Sequence, residues 1–439
     1  MITQTALPDC VDAADRRGFL DHGLFDFRDP KGGHLTERCE PFAEWVDASR
    51  RDSLFPFIRH HAQSPDIHSE VIDFGGHRYA GINLASQDYL GLARHPEVIA
   101  AARAACEAHG THSAGSEPMG GGLAAGRRLE EELAAFLHKP NVVLFPTGWG
   151  AGYGAIKALV RPYDHVVIDA LAHDCLQQGA RASGATVTPF AHNDLASLTK
   201  RLRRLRHQTV AGAILVVTES LFSMDSDHPD FAALVEVCRE HQAQILVDVA
   251  HDLGAMGHGG RGILAESGVA DQIDVVIGSF SKSFGCLGGF VATDSLAASY
   301  YVRGFSGTYT FSNYLMPAQV AAVRTALRII ASDEGELLRQ ETMRKSRALR
   351  AALTVEGFDV LGRPSPIILP KIGSEAVARL TQRECLRRGV IVNSVEFPAC
   401  RKGEARFRLQ VSPRHDDAAL AKVARIVRAS FEHATQAER

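Results

Sequence analysis

Between residues 140 and 295 the sequence repeats one pattern seven times: a short run of apolar, mostly β-branched residues followed by a stretch with helical spacing. The runs are VVLF (142–145), HVVID (165–169), ATVTPF (185–190), AILVVTE (213–219), QILVDVAH (244–251), DVVIGSF (274–280) and GFVAT (289–293). A strand with one wet face alternates apolar with polar residues, whereas these runs are nearly continuous. They therefore specify a mostly parallel sheet covered by helices on both faces, an α/β architecture. Ligands of such sheets bind beyond the carboxyl ends of the strands. Asp169, Glu219, Asp248 to His251 and Ser279 to Lys282, which close four of the runs, are expected around one crevice.

After about residue 320 the pattern changes to long helices separated by short strands such as IILP and RFRLQV, which reads as a smaller α+β domain. The expected division is an N-terminal arm and small segment (1–80), a large domain carrying the seven-stranded sheet (81–315) and the C-terminal α+β domain (316–439). A net charge of −3 gives no long-range pull toward nucleic acid or anionic membranes. The basic run KRLRRLRH (200–207) interleaves leucines at helical spacing, the mark of a solvated helix face. The eight cysteines contain no C-x-x-C pair, which fits reduced thiols in a cytoplasmic protein better than a disulfide framework or a structural zinc site. Residues 1–19 lack the continuous apolar stretch of a leader, and no segment reaches the length of a membrane span. The expected partner is a small molecule, with no nucleic acid and no membrane span.

The chemistry concentrates at GSFSKSFGCLGGFVA (278–292), where Lys282 stands between two serines. A phosphate-binding P-loop lysine would follow a glycine directly, and here Ser281 precedes it. Asp248 and His251 end the preceding strand. A lysine beside a strand-end aspartate and a histidine suits pyridoxal 5'-phosphate (PLP) bound as a Schiff base: the aspartate pairs with the pyridinium nitrogen, and the histidine reaches the phenolic oxygen. A metal reading built on Asp248, His251 and His258 is weaker, because His258 lies in the glycine-rich GAMGHGGRG, which does not fix ligand geometry; no metal site is expected. FPTGWGAGYGA (145–155) supplies a strand, a turn and a helix start whose N–H groups, from Gly148, Trp149 and Gly150, suit a phosphate. His173, just past another strand end, is placed to stack on a flat ring.

These stretches resemble the α-oxoamine synthases, PLP enzymes of fold type I that join an amino acid to an acyl thioester with loss of carbon dioxide. The resemblance runs from NLASQDYLGLARHP (83–96) to ARFRLQVSPRH (405–415), and TESLFSMDSD, VDVAHDLGAMGHGGRG and GSFSKSFGCLGGFVA are its most specific parts. The stretch from Thr147 to Arg181 is more similar to the serine palmitoyltransferase and saxitoxin-type branches than to the 8-amino-7-oxononanoate synthases of the biotin pathway. The resemblance implies that Lys282 holds PLP and acts as the base, that Asp248 pairs with the ring nitrogen and that His173 stacks on the ring. It places Ser223 and His251 near the phenolic oxygen, and Ser279 with Gly148 and Trp149 at the phosphate. YTFSNYLMP implies that Ser312, with Asn313, completes the site of a neighbouring subunit in a homodimer. Arg408 matches the clamp for the substrate carboxylate, with Arg406 as its flanking neighbour, and Gln87 stands opposite in place of the family's asparagine.

Three further positions depart from the family. Glu117 stands where many members have arginine, Gly126 replaces a frequent histidine, and Val249 takes the place of an acid. The implied reaction is a decarboxylative condensation giving an α-amino ketone and a free thiol, with coenzyme A or an acyl carrier protein as the thioester's carrier. The alternatives are another fold type I enzyme, such as an aminotransferase or aldolase, and a non-catalytic partner subunit. Retention of Lys282 speaks against the last.

Overall fold

The computed structural model describes residues 19–207 and 212–438; the leader reading of residues 1–19 falls, but for its last residue, outside them. All seven apolar runs form strands of one sheet: β1 (Asn141–Phe145), β2 (His165–Asp169), β3 (Thr186–Phe190), β4 (Ile214–Glu219), β5 (Gln244–Asp248), β6 (Val275–Ser279) and β7 (Gly289–Thr293). Their spatial order is β1-β7-β6-β5-β4-β2-β3. Only β7 runs against its neighbours β1 and β6; the ladders β2–β3, β2–β4, β4–β5 and β5–β6 are parallel. Every residue of β4, β6 and β7 is buried, which is why their sequences do not alternate. This is the fold type I architecture expected from the sequence.

The helices that cover the sheet are stopped and started by local chemistry. Helix α1 (Gly148–Leu159) is capped by Thr147, whose Oγ1 accepts from the Gly150 N–H at 2.9 Å. Six of its glycines and alanines are buried, and a Cβ on Gly152 would stand 2.6 Å from Cys175 Sγ, so the close packing needs glycine there. Helix α2 (Asp174–Ala182) is capped by His173. The basic run lies in the helix Leu195–His207, with Leu198, Leu202 and Leu205 buried, as the leucine spacing predicts.

The chain divides into two compact units. One comprises residues 87–344 and 363–366 and contains the seven-stranded sheet; the other joins the described residues up to Ser86 with Lys345–Gly362 and the described residues from Ile367 on. The sequence reading keeps the N-terminal segment and the C-terminal domain apart, whereas here they share one unit. The strand Arg78–Asn83 pairs in parallel with Val390–Ile391, placing Val390 opposite Ile82. A second sheet in this unit contains Ile367–Gly373 and Ala405–Gln410 in antiparallel register. Trp45, Leu84, Leu353, Phe407 and Val423 belong to its common core, drawn from both ends of the chain. The long helical stretch after residue 316 breaks at Ala331–Ser332 into Pro317–Ile330 and Asp333–Val355. Among the described residues no helix is long and apolar enough to cross a membrane.

Candidate active site

Parallel register sets the carboxyl ends of β4, β5 and β6 side by side: Glu219 is the partner of Asp248, and Asp248 of Ile277, two residues before the end of β6. Asp248 and Glu219 are 8% and 3% exposed. Burial pushes the Glu219 carboxyl well up from its usual range, and the neighbouring Asp248 pushes it further. Burial also raises Asp248, but there the charges of Lys282 and His173 oppose the rise. Two adjacent buried carboxyls do not both ionise. The balance favours the proton on Glu219, which Asp248 pushes up, and the negative charge on Asp248, whose rise the Lys282 charge opposes. The Asp248 carboxylate also accepts from the Ala250 N–H at 2.9 Å.

Lys282 acts electrostatically on Asp248, Glu219 and Cys175, so the lysine and the strand-end acids share one environment as the sequence implies. His173 belongs to the same group. Its backbone N–H donates to Glu219 Oε1 at 2.6 Å, and its ring Nδ1 lies 3.0 Å from Cys175 Sγ and accepts from the Cys175 N–H at 3.3 Å. Burial keeps the Cys175 thiol protonated, so it is the donor to Nδ1. His251 is buried with Nδ1 2.9 Å from the hydroxyl of Tyr89. Behind these groups Ser220 ties two strand ends together, donating to the Asp248 carbonyl (3.1 Å) and to Asp252, whose other oxygen accepts from the Ile263 N–H at 2.6 Å.

The second cluster forms where β1, β6 and β7 meet. Gly289 is the register partner of both Phe145 and Ser279. A Cβ on Gly148 would stand 2.4 Å from Ser279 Cβ, and one on Gly289 would stand 2.6 Å from Gly148 Cα. Only glycines let the α1 N-terminus approach this closely. Ser279 Oγ lies 2.7 Å from Ser281 Oγ. Trp149, stacked on Tyr153 at 5.1 Å, remains 45% exposed. Gly150, grouped with Gly148 and Trp149 in the sequence reading, spends its N–H on Thr147 instead.

The remaining expected residues are held elsewhere. Ser223 is half-buried in the turn after β4, closed by the Phe222 N–H to the Asp227 carbonyl (2.9 Å) and the Ser226 N–H to the Phe222 carbonyl (2.8 Å). Gln87 is half-buried just before Tyr89. Ser312 is half-buried between the exposed Phe311 and Asn313. Arg408 belongs to the other unit, on the strand Ala405–Gln410, where it and Arg406 are both buried. Arg406 Nε donates to the Glu404 carbonyl at 3.3 Å. Gln410, with its amide turned so that its nitrogen donates to the carbonyls of Ala85 and Ser86, accepts from Arg408 Nε at 3.2 Å. Val249 is 2% exposed; an acid there would be stripped of water, so the departure from the family pattern is matched to its surroundings.

Sequence reasoning missed Tyr89, Cys175 and the neutral state of Glu219. Tyr89 is legible only as part of the DYLG stretch, and Glu219 only as a strand end. Nothing local in the sequence marks Cys175, whose contact with His173 depends on how the turn before α2 folds.

A profile described as aminotransferase class I and II matches residues 80–427. The 8-amino-7-oxononanoate synthase of Pseudomonas putida is 36% identical over 363 residues, 81% of this chain and 88% of that one. A putative 8-amino-7-oxononanoate synthase 2 of Mycobacterium tuberculosis is 38% identical over 331 residues, 74% of this chain, and this chain spans 41% of its length. Among solved structures, Sphingomonas wittichii serine palmitoyltransferase has a TM-score of 0.85 at 27% identity, covering 92% of this chain and all of that one. A serine palmitoyltransferase carrying PLP has the same TM-score at 29% identity, with the same 92% of this chain and 100% of that chain covered.

The residues present fit that cofactor. Lys282 supplies the amine, the charged Asp248 an anionic partner for a ring nitrogen, and the Gly148–Ser279–Gly289 contact a close, side-chain-free approach at a helix N-terminus. With profile, relatives, fold and site in agreement, the chain belongs to the aminotransferase class I and II family, in its PLP-dependent α-oxoamine synthase branch.

Proposed function

We propose that this chain condenses an α-amino acid with an acyl thioester, releasing carbon dioxide and a free thiol and leaving an α-amino ketone. The observation that carries the reading is the grouping of Lys282 with the buried carboxyls of Asp248 and Glu219 at adjacent strand ends. When bound, PLP supplies an electron sink for the pair left on the amino acid's Cα by loss of a proton and later of carbon dioxide. Lys282 tethers the cofactor and then takes and returns the Cα proton at Nζ. Asp248 keeps the ring nitrogen protonated. His173 covers one face of the ring, its orientation fixed through Cys175 and Glu219. His251, itself held by Tyr89, reaches the phenolic oxygen with Ser223. Gly148, Trp149 and Ser279 hold the phosphate, and Ser312 of a second copy completes that contact. Large side chains left exposed near these elements, Phe311 at 90% and Met119 at 83% among them, support a homodimer. Arg408 and Gln87 bind the amino acid's carboxylate. The protein works in the cytoplasm, in keeping with its spaced cysteines, which are free among the described residues.

The relatives by sequence include 8-amino-7-oxononanoate synthases and the structural neighbours include serine palmitoyltransferases, so the substrates are to be found by assay. The test is a matrix of amino acids against acyl thioesters, each on coenzyme A and on an acyl carrier protein, scored for thiol and carbon dioxide together. Equal amounts of both support the condensation. Amino transfer without thiol release, or no turnover with any pair, would exclude it in favour of an aminotransferase or a non-catalytic subunit.

A further inference from the structure

Two departures from the family pattern, Glu117 and Gly126, fall on one structural feature. Arg303, on the helix Leu296–Phe305, donates from one guanidinium nitrogen to Glu117 Oε2 (3.0 Å) and the Tyr309 hydroxyl (2.8 Å). From the other it donates to Glu130 Oε1 (2.7 Å) and the Val142 carbonyl of β1 (3.0 Å). The Tyr309 hydroxyl donates in turn to Glu117, closing a triangle. Glu130, 4% exposed, also accepts from the Leu144 N–H at 3.3 Å. One cation thus ties the Glu117 turn and Tyr309 to the edge strand of the large sheet.

Five residues on, Tyr314 is fastened independently. Its N–H donates to the Gly115 carbonyl at 3.0 Å, and its carbonyl accepts from Ser113 Oγ at 3.2 Å. A Cβ on Gly126 would stand 2.0 Å from the Tyr314 hydroxyl oxygen, so the buried ring occupies space that only glycine leaves open. The stretch from Tyr309 to Tyr314 is therefore buried at both ends, at 5% and 8% exposure, while Phe311 between them is 90% exposed. Ser312 sits on this outward arch.

We propose that Glu117, through Arg303 and Tyr309, is a positioning residue that shapes the 309–314 arch so that Ser312 is presented to the cofactor phosphate of a second copy, with Gly126 giving the room that seats the arch's far end. The inference rests on the reading of Ser312 given above. Arginine at 117, the residue many family members carry, would set like charge against Arg303 and open the triangle.

The test titrates the apo-protein with PLP and, separately, with pyridoxal, which can bond to Lys282 but has no phosphate, following cofactor absorbance. The variants are S312A, E117A and G126A, with the melting temperature of each apo-protein recorded. The expected result is a loss of PLP affinity of about tenfold or more in all three, the size of a lost charge-assisted contact, with pyridoxal affinity unchanged. If S312A weakens PLP selectively while E117A and G126A do not, or weaken both ligands alike, the positioning role is overturned and the Ser312 reading stands. If S312A leaves PLP affinity unchanged, both fall. Should E117A fail to fold, Y309F decides, since it removes the hydroxyl that donates to Glu117 while keeping the ring, and PLP affinity unchanged in it overturns the positioning role.

Discussion

Glu219 and Asp248 are the same kind of group one strand apart, and their surroundings push Glu219 toward the neutral form while Lys282 opposes the rise at Asp248. The contrast makes a direct prediction. Glu219→Gln preserves a neutral acceptor for the His173 N–H and should change kcat/KM by no more than about tenfold, the range of one altered hydrogen bond. Asp248→Asn removes the charge paired with the ring nitrogen; breaking a buried pair costs about 3–5 kcal/mol, so turnover should fall by orders of magnitude while cofactor absorbance is retained. Similar defects in both variants would show that the proton is not on Glu219. At this scale the sequence was explicit about Lys282, Asp248 and His251, because the chemistry demands those residue types at strand ends. It was silent on protonation, which depends on burial and on a neighbour 29 positions away in the chain.

Turns and strands decide how the side chains are offered. The turn carrying Ser223 is pinned by His192, which lies 2.9 Å from Asp169 and 3.1 Å from Asp227, with its ring edge-on to Phe222. Burial alone would lower the imidazole's pKa, but hydrogen bonds to the two aspartates push it up to about 10 from 6.5. A raised folded value means that the stabilisation is complete below about 6.5 and is lost as pH climbs through about 10. The melting temperature of the wild type should therefore fall between pH 7 and pH 10 more steeply than that of His192→Asn; parallel curves would refute the assignment. On the strand Ala405–Gln410 the two arginines share a face, with Arg406 held to Glu404 and Arg408 to Gln410. Arg408→Ala should raise the KM for the amino acid by about ten- to a hundredfold with the thioester KM little changed, the cost of a charged hydrogen bond, and Arg406→Ala should do much less. A larger amino-acid defect in Arg406→Ala would reverse the roles. The strands were readable because a doubly covered sheet leaves continuous apolar runs. The partners of these arginines were not, since Gln410 turns to Arg408 only because its own amide nitrogen is taken up by the carbonyls of Ala85 and Ser86.

The proposed sharing of Ser312 between two copies makes a prediction for the whole assembly. Mixing Lys282→Ala with Ser312→Ala protein in equal amounts, each defective alone, should yield heterodimers containing one site with both residues intact, and activity should rise toward about a quarter of that of the wild type. If Ser312 served its own chain, no such recovery would appear. The sequence by itself determined the parallel sheet and the family, and it singled out the lysine and the strand-end acids, because each of these is written in local patterns of hydrophobicity and residue type. Tertiary structure decided what no local pattern holds. It joined Arg78–Asn83 to Val390–Ile391 in one unit, since an unpaired strand edge takes whichever partner the fold delivers. It also turned Glu117 toward Arg303 and filled the space beside Gly126 with Tyr314: a charge or a gap acquires its meaning only from the residue that packing brings against it.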